Sequence, residues 1–102
     1  METYRFRFDE RLGIELPELD LEWEQYTPEE RGEILLRWEA IRGRIPDRIG
    51  ELEAEIRRRQ ERLDVEEDFP ACCRLTGEIA ELASRIQDLN LWYRLSQTID
   101  GG

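Results

Sequence analysis

Between Cys72 and Ser96 the positions Cys72, Leu75, Ile79, Leu82, Ile86, Leu89, Tyr93 and Ser96 recur at alternating spacings of three and four. Such a series falls on one narrow face only in a helix, so the stretch predicts a long amphipathic helix that must lay its seam against a partner. A matching seam lies upstream in the same chain. Ile45, Ile49, Leu52, Ile56 and Leu63 repeat in the same way, with Arg59 as the irregular member. Folding the two stretches back about Phe69 sets Leu63 against Leu75, Arg59 against Ile79, Ile56 against Leu82, Leu52 against Ile86, Ile49 against Leu89 and Ile45 against Tyr93. The mirrored register predicts an antiparallel helical hairpin ~30–35 Å long.

A third helix is announced by Thr27-Pro28-Glu29-Glu30. Thr27 is placed to cap, Pro28 fits the first helical position, and Glu30 completes a capping box while opposing the helix dipole. Ile34, Leu35, Trp38 and Ile41 make its apolar face; Gly32, Leu36, Ala40 and Gly43 make a second line of small or apolar residues. Gly43 is expected to end this helix in a left-handed conformation, and the short connection to Ile45 then lays it back beside the pair. The expectation is an all-α fold: an antiparallel helical hairpin plus a third helix, with helices near 28–43, 46–67 and 70–98. Gly101-Gly102 is read as a frayed end.

Residues 1–26 read as an extended N-terminal arm. Tyr4, Phe6 and Phe8 alternate with Arg5, Arg7 and Asp9, and after a turn at Asp9 to Gly13 a second alternation runs through Ile14 and Leu16. It is broken by Pro17 and resumes at Leu19, Leu21 and Trp23. A hairpin satisfies the backbone, but a lone two-stranded hairpin is marginal and Pro17 suits only an edge or bulge. The favoured expectation is an arm that lays alternate apolar side chains on the helices.

Composition narrows the function. A chain of 102 residues allows one modest core. With 25 acidic against 15 basic residues, a net charge of -10 argues against nucleic acid as a partner. All the basic residues are arginine, and the absence of histidine removes the commonest general base and metal ligand. No apolar run reaches the ~18 residues of a membrane span and no signal segment is visible, so the reading is cytoplasmic with no membrane partner. Two adjacent cysteines are a poor disulfide framework and agree with a reducing compartment.

Few residues carry chemistry. Cys72 and Cys73 sit in the first turn of a predicted helix, where the dipole can make a thiol reactive, although Cys72 also falls on the seam. Glu78 and Glu81 have the spacing of a metal pair and read better as a solvated face. Arg57, Arg58, Arg59 and Arg62 concentrate positive charge on the latter half of a helix, where Glu53–Arg57 and Glu55–Arg59 are i,i+4 pairs; the alternative is a docking site for an acidic partner or RNA. Glu29-Glu30-x-x-Glu33 followed by Glu61-x-x-Asp64 resembles, in spacing, the paired acidic motifs of the all-alpha nucleotide pyrophosphohydrolases. That resemblance implies a magnesium-dependent enzyme with carboxylates holding the ion between helices.

The reading these features support best is a small helical protein–protein interaction or assembly module without catalytic activity or cofactor, self-associating or bound to a protein partner. Its interface is expected at Leu36, Ala40, Leu91, Trp92, Leu95, Arg58 and Arg62, where apolar surface exceeds what a small monomer covers. Ile99 is expected to extend the apolar end. The alternatives are the pyrophosphohydrolase-like enzyme and a redox sensor using Cys72 and Cys73.

Overall fold

The computed structural model describes residues 3–101, with side chains described for residues 3–95. The expectations for the side chains of Ser96 and Ile99 and for Gly102 lie outside the described residues. Strand β1 (Tyr4–Asp9) pairs antiparallel with β2 (Ile14–Leu19), and a single 3-10 turn (Trp23–Gln25) leads into α1 (Pro28–Arg42), α2 (Ile45–Val65) and α3 (Phe69–Gly101). The molecule is a rod with extents of 59 × 23 × 18 Å.

The expected all-α class is wrong at the N-terminus, where residues 4–19 form a β-hairpin instead of an extended arm. The turn decides it. The Asp9 carboxylate accepts a hydrogen bond from the Leu12 N–H (2.9 Å) and the Asp9 carbonyl accepts one from the Gly13 N–H (2.7 Å). Gly13 then reverses the chain at φ +76°, a conformation that other residues adopt at a cost. Pro17 is tolerated because both strands of a two-stranded sheet are edges. What rescues the hairpin from marginal stability is burial: Leu12 and Ile14 enter the main core.

Its register mixes the two faces. Asp9 stands opposite Ile14 and Arg7 opposite Leu16, so Ile14 and Leu16 share a face with the polar side chains of β1, while Phe6 and Pro17, like Tyr4 and Leu19, share the other. Ile14 and Leu16 from one face and Phe6 from the other all pack on the core.

The expected third helix, folded back beside a helical hairpin, is also corrected. Gly43 is right-handed (φ −63°, ψ −18°) and so is Arg44 (φ −89°, ψ −13°). A right-handed junction cannot reverse the chain, so α1 and α2 make one bent helix of residues 28–65. The bend follows from Pro46, which has no N–H to donate and whose ring crowds the preceding turn. The helical layer is therefore two long elements, α1–α2 and α3. Arg42 reaches the backbone of Tyr93, and Arg59 reaches Glu78, so the two elements run in opposite directions.

Helix α1 starts as its local signal requires. The Thr27 hydroxyl accepts from the Glu30 N–H (3.1 Å) and the Glu30 carboxylate accepts from the Thr27 N–H (2.8 Å), with Pro28 in the first turn. The continuous core comprises Leu12, Ile14, Trp38, Ile41, Ile45, Leu52, Leu82 and Leu89. Arg59, the polar member of its seam, sends its guanidinium out to the Glu78 carboxylate (3.0 Å) and to the Glu55 carbonyl (3.2 Å).

Candidate functional site: an apolar cleft at the hairpin end

All three tryptophans meet where the hairpin, α1 and the latter part of α3 come together. Trp38 is buried on the inner face of α1, and its ring stands edge-on to Trp92 of α3 at a centroid distance of 5.6 Å. Around this pair Pro17, Leu19, Trp23, Ile34, Leu35 and Leu95 enclose a cavity of about 30 Å³, the space of a single water. The walls are almost wholly apolar, and Leu19 and Leu95 rim the mouth with much of their surface open to solvent.

Arginine and tyrosine brace the elements around the cleft. Arg31 donates to the backbone carbonyls of Trp23 (3.1 Å) and Glu24 (3.0 Å) and fixes the 3-10 turn. The buried Tyr26 hydroxyl donates to the Thr3 carbonyl (2.6 Å) and accepts from the Leu21 N–H (3.2 Å), tying both ends of the hairpin to the start of α1. Arg42 donates to the Tyr93 carbonyl (3.0 Å) and lies over the Tyr93 ring, while Arg37 covers Phe6 at 4.4 Å.

The expected interface residues do not form one surface. Trp92 and Leu95 belong to the cleft, and Leu91 lies one turn from Leu95 on the same exposed face of α3. Leu36, 74% exposed, and Ala40 lie one turn apart on the outer side of α1, away from the buried Ile34, Trp38 and Ile41. Arg58 and Arg62 are exposed near the far end of α2, Arg58 beside Glu55 at 3.9 Å. Cys72 is half-buried, its Sγ 3.5 Å from the Glu66 carbonyl, and Cys73 is exposed; both thiols are free.

The paired acidic motifs are far apart. Trp38 packs on Trp92 and Arg59 on Glu78, two α3 positions about 21 Å apart by helical rise. Glu29, Glu30 and Glu33 lie beyond the first contact, and Glu61 and Asp64 beyond the second. Glu30 caps α1 and Glu33 accepts a hydrogen bond from the Tyr4 hydroxyl. Among the described residues no group of three or more acidic or cysteine side chains is placed to hold a metal ion, and no helix is long and apolar enough to cross a membrane.

A clamp invisible in the sequence fixes the hairpin's turn. The Arg11 guanidinium donates to Glu81 (3.0 Å), the Ser84 hydroxyl (2.6 Å) and Asp88 (2.6 Å), which share one face of α3. From the other side Arg48 of α2 donates to the Leu12 carbonyl (2.9 Å). Hydrogen bonds from Arg85 and then Arg11 hold the Glu81 carboxyl below the usual carboxylate range, and the hydrogen bonds to Asp88 and then Glu81 push Arg11 up. The hydrogen bond to Glu33 raises the Tyr4 hydroxyl at the open end of the hairpin. Only the turn itself is signalled; its partners on α3 lie 70 to 77 residues away, beyond any local pattern.

No protein family, curated protein or solved structure matches the chain.

Proposed function

We propose that the protein is a non-catalytic interaction module in which an apolar segment of a protein partner lies across the mouth of the Trp38–Trp92 cleft, whose interior has room for no more than one small group. The observation that carries this is the exposed apolar rim: Leu19 and Leu95, 38% and 44% exposed, stand at the mouth of the cleft, and Leu91, 54% exposed, lies one turn before Leu95 on α3. A preorganised apolar depression with aromatic walls gains more on burial than it loses in ordering. Arg31 fixes the Trp23 backbone at the cleft, and Arg42 and Arg37 brace Tyr93 and Phe6 on the neighbouring core.

The experiment is a comparative co-purification from the native source using the intact chain and a Leu91→Glu/Leu95→Glu variant. Both substitutions lie on exposed positions, so circular dichroism should be unchanged. A partner retained by the native chain and lost by the variant supports the cleft, and its docking should shift the emission of Trp92. A partner held equally by both proteins, or none held by either, overturns the reading.

A further inference from the structure

The other end of the rod presents the most exposed large apolar side chains of the described residues: Val65, 80% exposed, and Phe69, 77% exposed, on either side of the α2–α3 turn. This turn is firmly built. The Asp68 carboxylate accepts from the Ala71 N–H (3.2 Å), the Asp68 carbonyl from the Cys72 N–H (3.0 Å), and the Glu66 carboxylate from the Asp68 N–H (3.1 Å). Two large apolar groups are thus displayed by a preorganised turn, at a hydration cost that nothing within the chain offsets.

The charge around them is divided. Val65 shares the outer face of α2 with Arg62 and Glu61 one turn earlier and Arg58 two turns earlier, all exposed, so that this side is net basic. The turn that follows carries only acids, Glu66, Glu67 and Asp68. We infer that this tip binds a second copy of the chain, tip to tip, about a twofold axis beside Val65. Val65 and Phe69 of one copy then meet the same residues of the other. Positions before Val65 face positions after it, so Arg58 and Arg62 of each copy meet the acidic turn of its mate. A twofold contact needs self-complementarity, and a surface with an apolar centre, a net basic side and an acidic side has it. The contact is small, so the dimer depends on concentration and weakens with salt. It directs both Trp38–Trp92 clefts outward, at opposite ends of a rod about twice the 59 Å length of one copy. This inference stands on a different surface from the proposed cleft and survives or fails independently of it.

Sedimentation velocity over a wide concentration range tests it. The intact chain should pass from monomer to dimer, and Val65→Asp/Phe69→Asp should stay monomeric with an unchanged circular dichroism spectrum. Arg58→Glu/Arg62→Glu and Glu66→Arg/Glu67→Arg should each be monomeric alone, because each sets like charges face to face, yet form a heterodimer on mixing. That recovery separates a charge-matched contact from a folding defect. A native chain that is monomeric throughout overturns the inference, as does a mixture that stays monomeric. It also fails if Leu91→Glu/Leu95→Glu abolishes the dimer while Val65→Asp/Phe69→Asp leaves it intact, since the cleft is then the self-association surface.

Discussion

The two ends of the rod use the same pair of helical elements and are finished differently. At the hairpin end, β2 and the 3-10 turn lie over α1 and α3, and Trp38, Ile34 and Tyr26 are buried beneath them. At the tip, α2 and α3 have only each other, and Val65 and Phe69 stay in solvent. Helical periodicity is equally good in both places. The difference lies in whether a third element covers the sides of the helix pair, which a two-helix seam by itself never does. Leu36 makes the same point within α1, since the hairpin covers one flank of that helix and leaves the other bare.

The largest expected effect breaks the covered end. Trp38→Ala removes the ring on which Trp92 and the cleft walls pack, and should cost about 3–5 kcal/mol in urea unfolding. Val65→Ala at the tip should cost less than about 0.5 kcal/mol in dilute solution, because its side chain is exposed in the monomer. Equal losses at the two sites would erase the contrast between the ends. The next effect sharpens it. Gly13→Ala forces a side chain onto a residue at φ +76° and sets its Cβ 2.6 Å from the Arg48 Nε, so the Arg48 side chain must swing away and its bond to Leu12 is lost. Strain of about 1–2 kcal/mol is expected from the backbone alone, read as a lower urea midpoint. Amide exchange should quicken in residues 4–19 before it does in α2 and α3.

What the sequence made legible is whatever repeats or caps locally. The seams of residues 45–63 and 72–93, the Thr27 capping box and the turn at Asp9 to Gly13 all have short-range causes. The architecture went wrong where one residue's dihedral angle decides a direction: Gly43 tolerates left- and right-handed backbone alike, and the observed right-handed value turns an expected reversal into a bend. The arm was misjudged because hairpin stability depends on what the helices bury, and Leu12, the residue most enclosed by the turn, carries no periodic signal. Of the expected interface residues, Trp92 and Leu95 do share a site, for the α3 face they occupy is set by spacing alone. Arg11, Arg48 and Tyr26 were unreadable, since their importance comes from partners on other elements.

The smallest expected effect is a pH dependence that divides the hairpin itself. Glu81 is held below the usual carboxylate range by Arg85 and Arg11, so its contribution is complete above the unfolded carboxyl value of about 4.5 and is lost as the pH falls through its lower folded value. Acid therefore releases the turn end first, as Arg11 loses one of its anionic partners on α3. Tyr4, raised above its ordinary value of 10.0 by Glu33, behaves oppositely. Its contribution is complete below pH 10 and disappears as the pH rises through its folded value, when a phenolate would face the Glu33 carboxylate. Alkali therefore releases the open end first. Amide exchange resolved along residues 4–20 should show protection lost from Leu12 and Gly13 in acid and from Asp20, whose N–H donates to the Thr3 carbonyl, in alkali. Arg11→Gln should remove much of the acid response and leave the alkaline one intact. If both ends loosen together at either extreme, the hairpin detaches as one unit and its two anchors are energetically a single joint.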